Sequence, residues 1–296
     1  HLTLAQLPEH RRRFMKFRPT FSSILIGLFL LLSVAACAQT AVVTPTPVTI
    51  SIAGSTEMRP VLVELTGAYT ERHPNVLFSL RGGGSILGET WLESRRADLA
   101  ASTTFPDEEE GLTGLMRVPI GLDGVAVIVH KDNPVIDLTL SQLRDIYNGK
   151  ILDWAEAGGQ PGEIGLVSRE DGSATRMLFE ERVMGEERVA LTAVVMPTSE
   201  DVVEYVAEHP QAIGYVSRAY VMANPASPQG SVSVGVVALE GRLPTSEEIA
   251  AQSYYLTRPI FLLRRASNGA GIQPFIDFVL SPAGQEIVAR YHVRIR

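Results

Sequence analysis

The feature that most constrains this chain is a regular alternation of short β-branched segments with helical segments from residue 48 to residue 290. Apolar residues at every second position predict strands, and apolar residues three or four positions apart predict helices. Leu62, Leu65 and Tyr69, for example, share one face of a predicted helix. Strands that alternate with helices in this way are typical of an α/β fold with mostly parallel sheets.

The predicted elements cover nearly all of this region. The predicted strands are 48–52, 76–80, 98–101, 125–130, 164–167, 189–195, 213–216 and 259–263. The predicted helices are 61–72, 85–96, 140–147, 173–184, 201–208, 273–280 and 282–290.

Composition and charge exclude several classes of protein. The chain has 296 residues, of which 45% are hydrophobic and 20% are charged, so it is not predominantly disordered. The formal net charge is −7, which argues against a broad basic surface for nucleic acid. A single cysteine, Cys37, excludes a disulfide framework and a cysteine-based zinc site.

The N-terminal segment has the pattern of a secretory signal rather than of a membrane span. Lys16 and Arg18 precede an apolar segment whose uninterrupted centre is 24–32. A spanning helix needs about 20 apolar residues, so we interpret residues 1–36 as a signal peptide, with Met15 as a candidate start. The following segment, 37–47, alternates threonine and proline in part and is predicted to be an extended tether.

The residues before the cysteine indicate how this segment is processed. Val34, Ala35 and Ala36 precede Cys37, and the four residues together resemble the lipobox of bacterial lipoproteins. The resemblance implies diacylglyceryl transfer to Cys37, cleavage before it and attachment to a bacterial membrane. The alternative is an ordinary secretory signal in which Cys37 has no such role.

Three turns of similar chemistry each follow a predicted strand and open a predicted helix. They are the segments 54–56, 82–85 and 171–175, which are rich in glycine, serine and threonine. A helix start carries unpaired N–H groups and a partial positive charge, and small residues let an anion approach it closely. We therefore predict that the turns converge on an anion. The alternative is that each serine or threonine only caps its helix.

Arg169 lies just after the predicted strand 164–167 and two residues before Asp171. A guanidinium at a strand end can donate to two oxygens of one oxyanion, and Asp171 could hold that guanidinium in place. The alternative is a surface Arg–Asp pair that contributes little.

Two longer segments resemble a known family. Residues 168–176, SREDGSATR, are similar to the R-x-D-G-S-G-T segment of the phosphate-binding proteins of bacterial phosphate ABC transporters. Residues 140–154, LSQLRDIYNGKILDW, resemble another stretch of that family, and the resemblance as a whole covers residues 48–296. Shorter matches follow the same order at 53–56, 82–85, 211–217 and 281–287.

The resemblance implies a two-lobed α/β fold, the type II periplasmic-binding-protein fold, with a mixed or parallel sheet flanked by helices in each lobe. Lobe one would comprise 48–126 and 257–296, and lobe two 127–256, joined by two crossover strands. Ligand would lie in the cleft between the lobes, which close over it by a hinge motion.

The resemblance also implies ligand positions, carried over residue by residue. They supply hydroxyls, backbone N–H groups or a guanidinium to phosphate: Ser55, Thr56, Ser85, Thr103, Arg169, Ser173, Ala174 and Thr175. Asp171 matches the family's salt-bridge partner of the arginine.

Two positions depart from the family pattern. Ala174 stands where the motif has glycine, and Thr103 stands where well-studied members have an aspartate that accepts the proton of hydrogen phosphate. A threonine hydroxyl can donate or accept, so it discriminates less between phosphate and a fully deprotonated oxyanion. Phosphate is therefore the first expectation, and sulfate or molybdate is the alternative.

The predicted function follows from this resemblance. We expect an extracytoplasmic, lipid-anchored, monomeric solute-binding protein that delivers phosphate to an ABC transporter permease, with no nucleic acid partner. Complete motifs for a nucleophile elbow, a phosphate-binding loop or a dinucleotide fold are not present in the sequence. We therefore predict no catalytic residue, no metal and no cofactor, with an envelope phosphatase or hydrolase on the same fold as the less favoured alternative.

Overall fold

A computed structural model of the chain describes residues 46–105, 114–221 and 234–295. The predicted signal peptide, Cys37 and most of the predicted tether lie outside these residues. No helix in the described part is both long enough and apolar enough to cross a membrane.

Strands and helices alternate along the described chain. The strands are β1 (Val48–Gly54), β2 (Val76–Arg81), β3 (Leu99–Ser102), β4 (Leu115–His130), β5 (Asp137–Leu138), β6 (Gly165–Arg169), β7 (Val194–Met196), β8 (Ala212–Ser217), β9 (Val234–Leu239), β10 (Thr257–Arg265) and β11 (Val293–Arg294). The helices are α1 (Arg59–Arg72), α2 (Ser85–Glu93), α3 (Leu140–Tyr147), α4 (Ala174–Phe179), α5 (Ser199–Glu208), α6 (Ser246–Ala250), α7 (Gly269–Leu280) and α8 (Pro282–Tyr291).

Most predicted elements are confirmed, and the α/β class with them. Helix α3 begins and ends where predicted, and a capping box of Thr139 and Gln142 fixes its start. The predicted strand 189–195 is wrong, since pairing begins only at Val194. Strand β9 and helix α6 were not predicted, and β4 is much longer than the apolar run 125–130.

The sheet is mixed, as the family resemblance implied: it is parallel at its two ends and antiparallel in its centre. The alternation of strands and helices alone had predicted mostly parallel sheets, and this is corrected. Among the described residues the strand order is β2-β1-β3-β10-β4-β8-β6-β7. Strand β1 pairs in parallel with β2 and β3, and β6 pairs in parallel with β7 and β8. Strand β10 runs antiparallel to β3 and β4, and β4 runs antiparallel to β8.

Strand β4 connects the two parallel parts of this sheet. Its first part, from Leu115 to Gly124, pairs with β10, and its second part, from Val125 onward, pairs with β8 and β9. The second part is buried on both faces, which explains why it is apolar without alternation.

Two apolar clusters stabilise the parts on either side. One packs β1 and α1 against α7 and α8, with Leu65 and Phe275 fully buried. The other packs α3 and α4 against β8, where the rings of Phe179 and Tyr215 stack at 4.1 Å and Tyr147 meets Phe179 edge-on. Burial of each such ring contributes roughly 1.5–3 kcal/mol. Both clusters leave polar loops at the carboxyl ends of β1 and β6.

Candidate functional site

The loop after β1 is brought close to β3 by a glycine. Gly54 has φ +133°, and a Cβ there would lie 2.1 Å from the carbonyl oxygen of Ala101. Any other side chain would push β3 away from this loop, so glycine is required. The chain then forms a short 3-10 turn, Thr56–Met58, before α1.

The three predicted turns contact one another, as the sequence analysis predicted. The N–H of Gly84 donates to the carbonyl of Gly54 at 3.2 Å. Gly84 has φ +86°, and a Cβ on it would lie 2.5 Å from the carbonyl oxygen of Gly172. The turns after β1, β2 and β6 therefore meet at one place, although 118 residues separate Glu57 from Thr175.

Capping accounts for one of these turns and not for the other two. The Ser173 hydroxyl accepts from the N–H of Arg176 at 3.4 Å and so caps α4. In the described structure Ser55 makes no side-chain capping bond, and the residue at the cap position of the turn 82–85 is Gly84, which has no side chain. The polar groups of these two turns are thus not committed to a helix end.

Arg169 ends β6, and its guanidinium is fully buried among oxygen atoms. Its Nε and Nη2 donate to both carboxylate oxygens of Glu170, at 3.0 and 3.1 Å. Its Nη1 donates to Glu57 Oε1 and Ser199 Oγ, both at 3.1 Å, and its Nη2 also donates to Thr56 Oγ1 at 3.3 Å. Arg169 therefore joins the strand end to the turn after β1.

Glu57 lies at the centre of this arrangement, and its side chain is 1% exposed. Besides Arg169, Thr175 Oγ1 donates to Glu57 Oε1 at 2.7 Å and Ser173 Oγ donates to the same atom at 3.5 Å. Ser55 Oγ donates to the other oxygen, Oε2. We call these four donors, Ser55, Arg169, Ser173 and Thr175, the oxyanion cradle.

The cradle keeps Glu57 ionised. Burial alone would raise the pKa of this carboxyl, but Arg169, Arg258 and the hydroxyls of Ser55 and Thr175 lower it to about 2. The carboxylate is therefore fully charged near neutral pH, and the cradle is complementary to an oxyanion.

Asp171 does not hold Arg169, which corrects the sequence prediction. Its Oδ1 accepts from Arg176 Nη1 at 2.6 Å, and its side chain is 95% exposed. Glu57 and Glu170 are the carboxylates that contact Arg169. The reason is geometric, because Asp171 lies in a turn at the surface while the guanidinium points inward from the strand end.

The remaining predicted ligand residues are not among the donors to Glu57. Ser85 is buried, and its Oγ accepts from the N–H of Thr103 at 3.1 Å. Among the described residues, the Thr103 hydroxyl is one of a few buried polar side-chain atoms with no hydrogen-bond partner. Ala174 is buried as the first residue of α4, and Thr56 contacts Arg169.

A second buried guanidinium, that of Arg258 on β10, was not predicted from the sequence. Its Nη2 donates to Thr175 Oγ1 at 2.9 Å and to Asp123 Oδ2 at 3.0 Å. Asp123 also accepts from Ser217 Oγ at 2.8 Å and contacts His292 Nδ1 at 3.2 Å. A signal was present, because Arg258 directly precedes the apolar strand 259–263, where a charged residue must be paired if it is buried.

Asp123 is ionised for the same physical reason as Glu57. Burial would raise its pKa, but hydrogen bonds from His292 and Ser217 and the charge of Arg258 lower it to about 2.

No cluster of metal-ligating side chains occurs in the part of the chain that the structure describes.

Comparison with known proteins decides the family. A profile described as "PBP superfamily domain" matches residues 40–283. The chain belongs to the PBP superfamily. The profile match includes the three turns, Arg169 and Arg258, so the oxyanion cradle is part of a PBP superfamily domain.

The names of several similar proteins refer to phosphate. "Phosphate-binding protein PstS" of Bacillus subtilis (strain 168) is 27% identical over 238 residues, which cover 78% of this chain and 75% of the relative. A crystal structure from Clostridium perfringens, described as a candidate phosphate ABC transporter substrate-binding protein with bound phosphate, is 35% identical. It has a TM-score of 0.78 and covers 84% of this chain and 100% of that chain.

A crystal structure of an ABC-type phosphate transport receptor from Vibrio cholerae is also similar. It is 31% identical, has a TM-score of 0.66, and covers 83% of this chain and 100% of that chain. The family resemblance that the sequence motifs indicated is thereby confirmed.

Proposed function

We propose that this protein is an extracytoplasmic substrate-binding protein that captures inorganic phosphate and delivers it to an ABC transporter permease. Phosphate would bind in the cleft between lobe one, residues 48–126 and 257–296, and lobe two, residues 127–256. The proposed ligands are those of the sequence analysis, to which we add Arg258 because it contacts Thr175.

The observation that supports this proposal most strongly is the oxyanion cradle. Hydroxyl and guanidinium donors from segments more than 100 residues apart in sequence converge on one buried pair of carboxylate oxygens. Charge-assisted hydrogen bonds of this kind contribute roughly 1.5–3 kcal/mol each. Donors that stabilise a carboxylate in this way are suited to the oxygens of phosphate as well.

Thr103 and Arg258 provide further support. Within the described residues, Thr103 Oγ1 and Arg258 Nη1 are buried without a hydrogen-bond partner. An unpaired buried polar group costs roughly 1–3 kcal/mol. A ligand with several acceptor oxygens, such as phosphate, would remove this cost at each of these atoms that it reaches.

The proposed location follows from the N-terminal segment and from the family. The signal peptide 1–36 would direct the chain out of the cytoplasm, and lipid on Cys37 would hold it at the membrane. The tether 37–47 would then separate the binding domain from the lipid. Mass spectrometry of the membrane fraction tests this, because the lipid mass is expected on the wild type and not on Cys37→Ser.

Calorimetric titration of the folded chain, stripped of bound anions, tests the ligand. We expect heat from phosphate and a weaker response from sulfate and molybdate. Absence of heat with phosphate would contradict the proposal. Equal or stronger binding of sulfate or molybdate would favour the alternative ligand.

Thr103→Asp tests the placement of that residue. A carboxylate there would accept the proton of hydrogen phosphate and repel sulfate, so the preference for phosphate over sulfate is expected to increase. A fall in phosphate affinity would argue against Thr103 as a ligand.

We propose binding rather than catalysis. Release of product from a chromogenic phosphoester, with or without added metals, would contradict this proposal.

A further inference from the structure

Glu57 occupies the donors that the proposed function assigns to phosphate. Its two carboxylate oxygens accept from Ser55, Arg169, Ser173 and Thr175, which are all proposed phosphate ligands. The side chain is fully buried, so these contacts are made out of water. The protein therefore supplies its own oxyanion to the cradle.

The geometry leaves little capacity for a second anion at the same donors. Thr175 Oγ1 has one proton, and it donates that proton to Glu57 while accepting from Arg258. Ser55 likewise has one proton, which points to Glu57. A phosphate that uses these two hydroxyls must take them from the carboxylate.

The local charge leads to the same conclusion. The carboxylates of Glu57, Glu170 and Asp123 already surround the guanidinium groups of Arg169 and Arg258. Like charges held close together repel strongly where water is largely excluded. A dianion beside the Glu57 carboxylate would meet this repulsion, whereas a dianion in its place would not.

We infer that Glu57 is an internal competitor that occupies the oxyanion cradle and must leave it before an external oxyanion binds. The inference rests on the proposed function for the identity of the natural ligand. The competition itself does not depend on the proposed function, because Glu57 would compete with any small oxyanion for these donors.

The expected consequence is a lowered affinity. If a ligand binds only those molecules in which Glu57 has left the cradle, the measured association constant is the intrinsic constant multiplied by the fraction of such molecules. Glu57 thus determines how tightly the protein holds its ligand. The change that removes the competitor is Glu57→Ala, which keeps all four donors.

Formate provides a test that does not depend on phosphate. It carries the same carboxylate as Glu57 and is small enough to replace it in Glu57→Ala. We expect formate to raise the melting temperature of Glu57→Ala and to leave that of the wild type nearly unchanged. The physical reason is that Glu57→Ala removes one of the carboxylates that contact the Arg169 guanidinium, and formate would supply a carboxylate in its place.

Phosphate titration completes the experiment. We expect Glu57→Ala to bind phosphate at least about tenfold more tightly than the wild type. Glu57→Gln keeps the side-chain volume and removes the charge, so it serves as the second variant if Glu57→Ala does not fold. For Glu57→Gln the expected gain is at least about threefold, because the neutral amide still accepts hydrogen bonds.

Glu170 provides a matched control. It is also a carboxylate that contacts Arg169, but its own side chain is partly exposed and it accepts from none of the cradle hydroxyls. A smaller gain is expected for Glu170→Gln than for Glu57→Gln. An equal gain would mean that general charge repulsion is the cause and would overturn the inference.

The outcomes separate the inference from the proposed function. Formate stabilisation of Glu57→Ala, with no phosphate binding by any variant, would support the competitor and contradict the phosphate ligand. Weaker phosphate binding by Glu57→Ala and Glu57→Gln would make Glu57 an acceptor for the proton of hydrogen phosphate and overturn the inference. Unchanged phosphate affinity without a formate effect would overturn it as well.

Discussion

Two buried Arg–carboxylate pairs lie close together in this protein, and they are held in different ways. Arg258 and Asp123 are directly opposite each other in the register of β10 and β4. Arg169 and Glu57 come from a strand end and a 3-10 turn that are 112 residues apart in sequence. The first pair is fixed by backbone ladders, whereas the second depends on loops.

This difference indicates which pair can exchange its partner. Asp123 is enclosed by Arg258, Ser217 and His292, which lie on or next to strands, so its displacement would disrupt the sheet. Glu57 lies on a short turn, so displacement of its carboxylate would not break strand pairing. We therefore assign control of ligand affinity to Glu57 and not to Asp123.

Removal of Asp123 is expected to have the largest effect. Asp123→Ala leaves Arg258 buried without its carboxylate, and a broken buried pair of this kind costs about 3–5 kcal/mol. The measurement is the free energy of unfolding in urea, with the exposed Asp277→Ala on α7 as the control. A loss no larger than that of the control would contradict a structural role for Asp123.

Acid is expected to weaken both pairs. The folded-state pKa values of Glu57 and Asp123 are about 2, below the ordinary values of 4.5 and 3.8. Both carboxylates therefore stabilise the fold fully above about pH 4.5, and this stability is lost as pH falls towards about pH 2. For Glu57 the loss is roughly 3 kcal/mol.

The measurement for this prediction is the free energy of unfolding at about pH 6 and about pH 3. Glu57→Gln should lose less stability on acidification than the wild type, because it has no carboxylate to protonate. The exposed Glu204→Gln should behave like the wild type. An unchanged acid slope in Glu57→Gln would show that the Glu57 carboxylate is not stabilised by the cradle.

The pair of Arg169 and Glu57 is expected to affect ligand affinity more than the pair of Arg258 and Asp123 does. Arg169→Ala removes the guanidinium of the cradle and is expected to weaken phosphate binding at least about tenfold, or about 1.4 kcal/mol. The control is Arg242→Ala, which removes a partly exposed arginine paired with Glu248. Calorimetry in which both variants bind phosphate like the wild type would contradict the role of Arg169.

The smallest effect is expected at Asp171. Its carboxylate pairs with Arg176 at the surface, so Asp171→Asn should change phosphate affinity by no more than about twofold. A loss as large as that of Arg169→Ala would restore the partnership with Arg169 that the sequence suggested.

The local features of the site could be predicted from the sequence. The turns 54–56, 82–85 and 171–175 combine glycine with hydroxyl residues at helix starts, and this chemistry depends on neighbouring positions alone. Arg169 was predicted for a similar reason, because it stands at the end of an apolar strand. The motif of residues 168–176 also led to the correct family.

The partners of the charged groups could not be predicted in the same way. Asp171 is two residues from Arg169 and was the natural choice, yet the guanidinium turns to Glu57. No role was predicted from the sequence for Glu57 or for Arg258. Antiparallel pairing of β10 with β4 was not expected, so the contact of Arg258 with Asp123 could not be foreseen.

The sequence by itself determined the α/β class, most of the strands and helices, the turns that form the cradle and the presence of Arg169 in it. Backbone conformation and helix starts depend on residues close together in the chain, which makes them readable. Only the tertiary structure decided that Glu57 fills the cradle and that Arg258 borders it. A buried charge takes its partner from whichever segment the fold brings within hydrogen-bond distance, and here that segment is more than 100 residues away.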